Sequence, residues 1–244
     1  MNKDAAQTQN YPSHDEMAFL RLLHLTDSAL PIGSLAHSFG LESLVSFGVL
    51  NVSDLPNFLK NYLQESGMLE AVACREAFRL TVSGSEKFST HAWLRINDQL
   101  SAFKPAREGR EGSAALGRNF LQAVLALGDY PTLREAREAA RASGVLLHHS
   151  AVFGLVSATL AFDEDRAVLA FLHQLSASLI SACQRLMPLG QTEATRILWT
   201  LKSAIVEVSN RSANCTLDDV ACFTPLLDWG AMEHPALPTR LFIS

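Results

Sequence analysis

Apolar residues recur every three or four positions along most of the chain, which is the spacing of one face of an α-helix. The clearest example is residues 68–82, where the helical spacing is kept by Leu69, Val72, Ala73, Phe78 and Leu80. The sequence has no apolar–polar alternation typical of strands, no β-hairpin turn and no repeat of fixed period. This pattern predicts an all-α fold, a single-domain bundle of about ten helices with short connections.

Glycine, proline and capping residues set the predicted helix ends. Asp54 is placed to cap a helix that has Pro56 in its first turn and Gly67 at its end. Ser13 and Glu16 have the spacing of a capping box at the start of the first helix. The predicted helices cover about residues 13–30, 38–47, 54–67, 68–82, 85–103, 116–127, 132–142, 149–162, 166–187 and 192–208, with a short helix after residue 218.

The two ends of the chain differ from this central pattern. Residues 1–14 are polar and are predicted to form a flexible N-terminal tail, followed by an all-α domain over residues 15–224. Residues 225–244 contain three prolines and are predicted to be extended. Their last large side chains, Leu241 and Phe242, rarely stay exposed at a frayed end, so this segment docks either on its own domain or on a partner.

Composition and charge narrow the class of protein. The chain has 244 residues, of which 48% are hydrophobic and only 18% charged, which suggests that part of its surface is covered by partners or another subunit. A net charge of −5 argues against nucleic-acid binding. The four cysteines have no C-x-x-C spacing, as expected for reduced thiols of a cytoplasmic protein. No secretory signal opens the chain.

One segment tests whether the chain enters a membrane. Residues 142–162 contain no Asp, Glu, Lys or Arg and are long enough to span a bilayer. However, His148, His149 and Ser150 lie in the middle of this segment, and Gly144 resembles the end of the preceding helix. A helix that is apolar all round is equally suited to a large core, so a buried bundle helix is favoured over a transmembrane one.

Motifs for catalysis are missing from the sequence. It contains no P-loop, no H-E-x-x-H zinc motif and no G-x-S-x-G nucleophile elbow. No G-x-G-x-x-G follows a strand pattern. The chain is therefore predicted not to be an enzyme.

The pair His148-His149 leaves two interpretations open. Adjacent residues on a helix point about 100° apart, so both rings bind one metal ion only with help from elsewhere, such as His37 or His173. A helical metal-binding enzyme that uses His37, His148 and His149 with an acid such as Glu42 is thus the alternative function. Otherwise the pair starts a helix, with one ring buried and hydrogen-bonded and the other facing solvent or a partner.

Two further segments have a structural and a functional interpretation. Residues 104–111, KPAREGRE, form either a solvated loop, which is favoured, or a recognition surface where Arg107 and Arg110 bind carboxylates of a partner. Residues 187–191, MPLGQ, end one helix and start the next. There Gln191 either caps the new helix poorly or reaches across an interface.

The most distinctive segment is residues 27–42, DSALPIGSLAHSFGLE, which interrupts the helical pattern with Pro31, Gly33 and Gly40. Such a break lets the backbone turn sharply between two helices. Together with four later blocks in the same order, this segment resembles the urease accessory protein UreF family from about residue 19 to the end. These blocks are residues 22–42; Asn97 and Asp98 with residues 104–111; HHSAVFG at 148–154; LMPLGQ at 186–191; and Asp228, Met232, His234 and Arg240-Leu241-Phe242.

The resemblance implies a function in nickel-site assembly. UreF-like proteins are all-α homodimers without catalytic activity of their own. They join a second accessory protein, of UreD or UreH type, and the GTPase UreG, and this assembly promotes nickel insertion into apo-urease. The resemblance thus implies no stably bound cofactor, because nickel is handled by the complex. The net charge and the buried-helix interpretation separately predict no nucleic-acid and no membrane partner.

Residues in the matching blocks become candidates for partner or dimer contacts. They are Pro31, Gly33, His37, Glu42, Arg107, Glu108, Arg110, Gln191, Arg240 and Phe242. The chain departs from the family at Pro235, where a Glu is usual, and at Pro238, near a usual Tyr. These prolines either disturb the docking of the C-terminal segment or extend it in advance and lower the entropic cost of ordering it.

Overall fold

The computed structural model describes residues 14–82 and 88–243, and these residues form α-helices and short 3-10 turns without any strand. The predicted all-α fold is therefore confirmed. The predicted tail up to Ser13, the cap by Ser13 and the predicted helix start at Ser85 lie outside the described residues. The twelve α-helices are α1 (His14–Leu25), α2 (Leu41–Ser46), α3 (Leu55–Tyr62), α4 (Met68–Val82), α5 (Thr90–Ala102), α6 (Arg107–Leu125), α7 (Pro131–Ser143), α8 (His149–Thr159), α9 (Glu164–Leu186), α10 (Gln191–Thr200), α11 (Lys202–Ser212) and α12 (Pro225–Glu233).

Two pairs of helices are nearly continuous, so the described residues form about ten separate rods, as predicted. A π-helical turn, Leu63–Gly67, joins α3 to α4 without a break. Gly67 therefore does not end a helix, contrary to the prediction. A Cβ atom there would lie 3.1 Å from Leu63 Cδ2, so this glycine serves close packing inside the rod. Likewise, a single residue, Leu201, separates α10 from α11.

Helices α4 and α8 pack against each other in the core, because their backbones can touch. A Cβ atom on Gly154 of α8 would lie 2.0 Å from the carbonyl oxygen of Cys74 in α4. On another side of α8, a Cβ atom on Gly117 of α6 would lie 2.1 Å from the carbonyl oxygen of Leu147. Residues 150–157 of α8 are all buried, which confirms the buried-helix interpretation of this apolar segment.

The longest helix, α9, has a length and an apolar composition that would also suit a transmembrane helix. It is the one described helix that is long and apolar enough to cross a bilayer, and 56% of its most apolar window is buried inside the bundle. A core helix of this length that is mostly buried commonly has the same length and apolar composition as a transmembrane helix. This helix is therefore weak support for membrane insertion.

An ion-pair cluster ties α4, α9 and α11 together. The buried Arg75 forms ion pairs with Glu164 at 2.9 Å and Asp165 at 2.7 Å, both at the start of α9. Its guanidinium also donates to Ser212 Oγ and to the carbonyl oxygen of Ser209 in α11. A buried guanidinium is tolerated here because its donors are hydrogen-bonded to acceptors on two other helices.

Two segments that were predicted to lack helix are helical. Residues 107–111 form the first turn of α6 rather than a solvated loop, and both Gly109 and Gly112 lie inside that helix. Residues 225–236 form α12 and a 3-10 turn, His234–Ala236, rather than an extended segment. Pro225 takes the first helical position, where the missing amide donor costs nothing. Among the described residues from Pro225 onwards, residues 237–243 lack helix and strand, and we call them the C-terminal tail.

Candidate functional site

The break after α1 places α2 directly against α12. Gly40, at the start of α2, has a φ of +90°, a conformation that glycine adopts without strain. A Cβ atom on Gly40 would lie 2.7 Å from the carbonyl oxygen of Leu227, and one on Gly230 would lie 2.7 Å from the carbonyl oxygen of Gly40. The two helices therefore make contact through glycines, and this contact places α2 next to the C-terminal residues.

Three ionisable side chains from distant parts of the sequence meet in this region, and we call them the Glu42 cluster. The ring of His234 is fully buried between two carboxylates. Its Nε2 lies 2.8 Å from Glu42 Oε2 in α2, and its Nδ1 lies 2.7 Å from Glu108 Oε2 in α6. Glu42 is itself buried and Glu108 is half-buried. The cluster therefore joins α2, α6 and the end of α12.

The C-terminal tail is held by the same cluster. Glu42 accepts the backbone N–H groups of Leu241, at 2.6 Å, and Phe242, at 3.1 Å. The N–H of Ile243 donates to the carbonyl oxygen of Ala36 at 2.8 Å. Arg185 lies over the Phe242 ring, 3.9 Å from its centroid, and the ring is buried. Of the two predicted alternatives, the structure shows the tail docked on its own domain.

The charged residues at the start of α6 point in different directions. Arg107 is exposed and forms an ion pair with Glu111 at 2.8 Å, and this hydrogen bond raises the pKa of Arg107. Glu108 faces His234, and Arg110 donates to the carbonyl oxygen of Lys104 at 2.7 Å. These residues therefore form no single carboxylate-binding surface, and Arg107 is the most accessible of them.

The remaining candidates from the sequence lie on the surface or near it. Pro31 and Gly33 are exposed, and Gly33 has a φ of +84°. His37 is half-buried beside Phe39, with 5.7 Å between ring centroids, and burial lowers its pKa. Gln191 starts α10, where its Oε1 accepts a hydrogen bond from Gln184 at 2.9 Å.

The first histidine of the pair is a structural residue. The backbone N–H of His148 donates to Asn97 Oδ1 at 2.9 Å. Its ring nitrogens lie 2.9 Å from Ser101 Oγ and 3.1 Å from Ser113 Oγ. Burial, with a smaller contribution from Lys104, lowers the pKa of His148 to about 3. His148 is therefore neutral and hydrogen-bonded in the core, as one of the two interpretations predicts.

The second histidine differs from that interpretation. The ring of His149 packs among Phe120, Phe153 and Phe171, with centroid distances between 5.4 and 6.3 Å. Burial lowers its pKa to about 4, and its Nε2 is buried without a hydrogen-bond partner in the protein. The side chain is half-buried and lines a cavity of about 110 Å³.

The metal-enzyme alternative finds no support in this arrangement. Within residues 14–82 and 88–243, no three His, Cys, Asp or Glu side chains are grouped so that they could hold a metal ion. His37, His148, His149 and Glu42 are accordingly not brought together into one site.

Sequence reasoning missed two features of this region. Lys104 forms a largely buried ion pair with Glu70, and despite burial it lowers the pKa of that carboxyl group. The second feature is an exposed apolar surface, which we call the α12 patch: Phe47, Phe223, Trp229 and Met232. The rings of Phe47 and Trp229 are 5.3 Å apart, and the other members border a groove of about 530 Å³. Trp229 and Met232 lie in the segment that was expected to be extended, and Phe47 lies at the end of a predicted helix, so sequence spacing did not bring them together.

Comparisons of the sequence with known proteins give one family. A model of the UreF family matches residues 49–202. The chain is 31% identical over 224 residues to the urease accessory protein UreF of Corynebacterium glutamicum (strain R), covering 91% of this chain and 96% of that protein. It is 32% identical over 244 residues to the protein of the same name from Bradyrhizobium sp. (strain ORS 278), covering 99% and 98% of the two chains. The chain therefore belongs to the UreF family of urease accessory proteins.

Proposed function

We propose that this chain is a non-catalytic scaffold in urease maturation. It binds a UreD/UreH-type accessory protein and the GTPase UreG, and the assembly promotes nickel insertion into apo-urease. In this proposal the chain acts as a cytoplasmic homodimer, binds no cofactor stably and makes no contact with nucleic acid or membrane. Its membership of a family named for urease accessory proteins supports this function.

The observation that carries the proposal is the α12 patch. In this patch Phe223 is 77% exposed and Met232 is 55% exposed, next to Trp229 and a groove. Large apolar side chains grouped in this way on a surface typically mark a contact with another protein. Along the chain, α12 is followed by the docked C-terminal tail, whose Leu241 and Ile243 are also exposed. We assign this combined surface to the UreD/UreH-type partner.

A second apolar surface supports the homodimer. Helix α1 exposes Phe19, Leu20 and Leu23, and the exposed Leu127 lines a groove of about 280 Å³ together with Leu20. Interfaces of permanent homodimers are more apolar than transient ones. We therefore assign the α1 surface to the second copy of the chain.

Co-purification tests the partner assignment. The chain is co-expressed with the UreD/UreH-type protein and UreG of its own organism, and a double variant, Phe223→Ser with Met232→Lys, is compared with the unchanged chain. Both positions are exposed, so the variant is expected to fold, which circular dichroism checks. We expect loss of the UreD/UreH-type protein from the purified complex.

A matched control makes the result specific. Trp199 on α10 is 71% exposed and lies outside the α12 patch, so Trp199→Ser is expected to retain the partner. If the double variant retains the partner as well as the control does, the patch is not the docking surface.

A further inference from the structure

The hydrogen bonds around His234 fix how many protons the Glu42 cluster holds. A neutral imidazole has one N–H donor and one acceptor nitrogen, whereas both ring nitrogens here face carboxylate oxygens at 2.7 and 2.8 Å. An acceptor nitrogen and an ionised carboxylate cannot form a hydrogen bond. Each of the two N···O contacts therefore needs one proton. The two protons are present either when His234 is an imidazolium between two carboxylates or when a neutral ring lies beside one protonated carboxyl group.

The charges around this ring balance only while both protons are present. Glu42 reaches His234 from α2 and Glu108 reaches it from α6. Arg240 of the tail lies 3.8 Å from Glu108 Oε1. Arg185 of α9 covers the Phe242 ring next to the cluster. With an imidazolium and Arg240 opposite two carboxylates, the four groups are neutral, and losing one proton leaves a net negative charge in a largely buried site.

The tail depends on this cluster for its position. Within residues 237–243 the side chains of Leu237 and Phe242 are buried and the other five are exposed, so the position of the tail depends on its backbone hydrogen bonds as well as on apolar burial. Two consecutive backbone N–H groups, those of Leu241 and Phe242, donate to the carboxylate that also faces His234. Any movement of the Glu42 carboxylate away from a deprotonated ring thus removes acceptors from the tail.

We propose that the Glu42 cluster is a proton-controlled latch for the C-terminal tail. With both protons present, Glu42 is held between His234 and the tail, and the tail stays docked. When the cluster loses one proton as the pH rises, a nitrogen lone pair of His234 faces a carboxylate, the hydrogen bonds to Glu42 weaken, and residues 237–243 detach. The latch is a property of the isolated chain, so it can be tested in the absence of the proposed partners, and its failure would not contradict the proposed function.

Hydrogen–deuterium exchange of the full chain tests the latch. Protection of the peptide that covers residues 237–243 is measured between about pH 6 and about pH 9 and is corrected for intrinsic exchange. We expect protection of the tail to fall by about tenfold, the factor for losing one charge-assisted hydrogen bond. Protection of α8 is expected to stay constant, which shows that the fold is intact.

Two isosteric variants separate the latch from ordinary fraying. In Glu108→Gln, the new amide donates to His234 Nδ1, so a neutral ring satisfies both contacts and the tail is expected to stay protected at all these pH values. In Glu42→Gln, the amide nitrogen is itself a donor and opposes the N–H groups of the tail, so the tail is expected to exchange rapidly at every pH.

The outcomes that overturn the latch are equally clear. If protection of the unchanged tail is the same across the pH range, or if Glu108→Gln loses protection as the unchanged chain does, the cluster is not a proton-controlled latch. Circular dichroism shows whether Glu42→Gln folds. Should it fail to fold, the unchanged chain and Glu108→Gln decide the question by themselves.

Discussion

At the scale of single residues, glycines decide how closely the helices approach. Gly154 and Gly117 let the backbones on two sides of α8 come into contact, whereas Gly109 lies in α6 with nothing within 4 Å of a Cβ atom there. A methyl group therefore has opposite effects at the two kinds of position. At the first it forces two helices apart, and at the second it only restricts the unfolded chain.

We expect Gly154→Ala to lower the free energy of unfolding by at least about 2 kcal/mol, because the new Cβ would meet the carbonyl oxygen of Cys74 at 2.0 Å. The matched control, Gly109→Ala, is expected to raise it by about 0.5–1 kcal/mol. Urea denaturation measures both. Equal small effects would show that α4 and α8 are not in backbone contact.

The two neutral core histidines predict acid sensitivity. Burial lowers the pKa of His148 to about 3 and that of His149 to about 4, whereas the unfolded chain binds these protons near pH 6.5. Their contribution to stability is therefore complete above about pH 6.5 and is lost as the pH falls towards the folded-state values. We expect the urea midpoint to fall over this range, and to fall less steeply in His149→Phe. An identical slope in that variant would contradict a buried neutral His149.

At the scale of helices, distant residues meet in ways that local patterns do not reveal. Helical spacing predicted most helices because each buries an apolar face, and that face is visible within a dozen residues. The first turn of α6 was missed because two glycines and a proline resemble a loop, and because Glu108 in that turn contacts His234, which lies 126 residues further along the chain. Likewise α12 was missed because prolines at helix starts resemble those of an extended chain.

The Arg75 cluster is such a long-range contact, and it yields a prediction about the helices it joins. Arg75→Met is expected to lower the free energy of unfolding by about 2–3 kcal/mol, because it removes a buried guanidinium that joins Glu164 to α11, although Arg79 remains paired with Glu164 at 2.7 Å. Arg95 forms an exposed ion pair with Asp218 at 3.4 Å, so Arg95→Met is expected to cost less than about 1 kcal/mol. Equal losses in urea denaturation would contradict a joining role for Arg75.

At the scale of the whole molecule, the low proportion of charged residues indicated covered surface but not where it lies. The structure groups several large exposed apolar residues on the α1 surface and in the α12 patch, while others, such as Trp199 and Val206, lie outside both regions. Neither region could be found from periodicity, because periodicity assigns apolar positions to the core. The blocks near the C-terminus indicated that His234 and Phe242 matter, but only the folded chain shows that both contact Glu42.

The α1 surface predicts the oligomeric state. We expect Leu23→Lys to shift the chain from dimer to monomer in size-exclusion chromatography with light scattering, because a charge there is buried in the proposed interface. Val206 on α11, also an exposed apolar residue, serves as the control, and Val206→Lys is expected to remain a dimer. A dimer that persists in both variants places the interface elsewhere.

The nickel content of urease tests the scaffold most directly. Urease is purified from cells that express its structural proteins and all accessory proteins, with either the unchanged chain or the variant carrying Phe223→Ser and Met232→Lys, and its metal is measured by mass spectrometry. We predict nearly full nickel occupancy with the unchanged chain and background occupancy with the folded variant. Full occupancy with a variant that no longer binds its partner would contradict a function through holding proteins together.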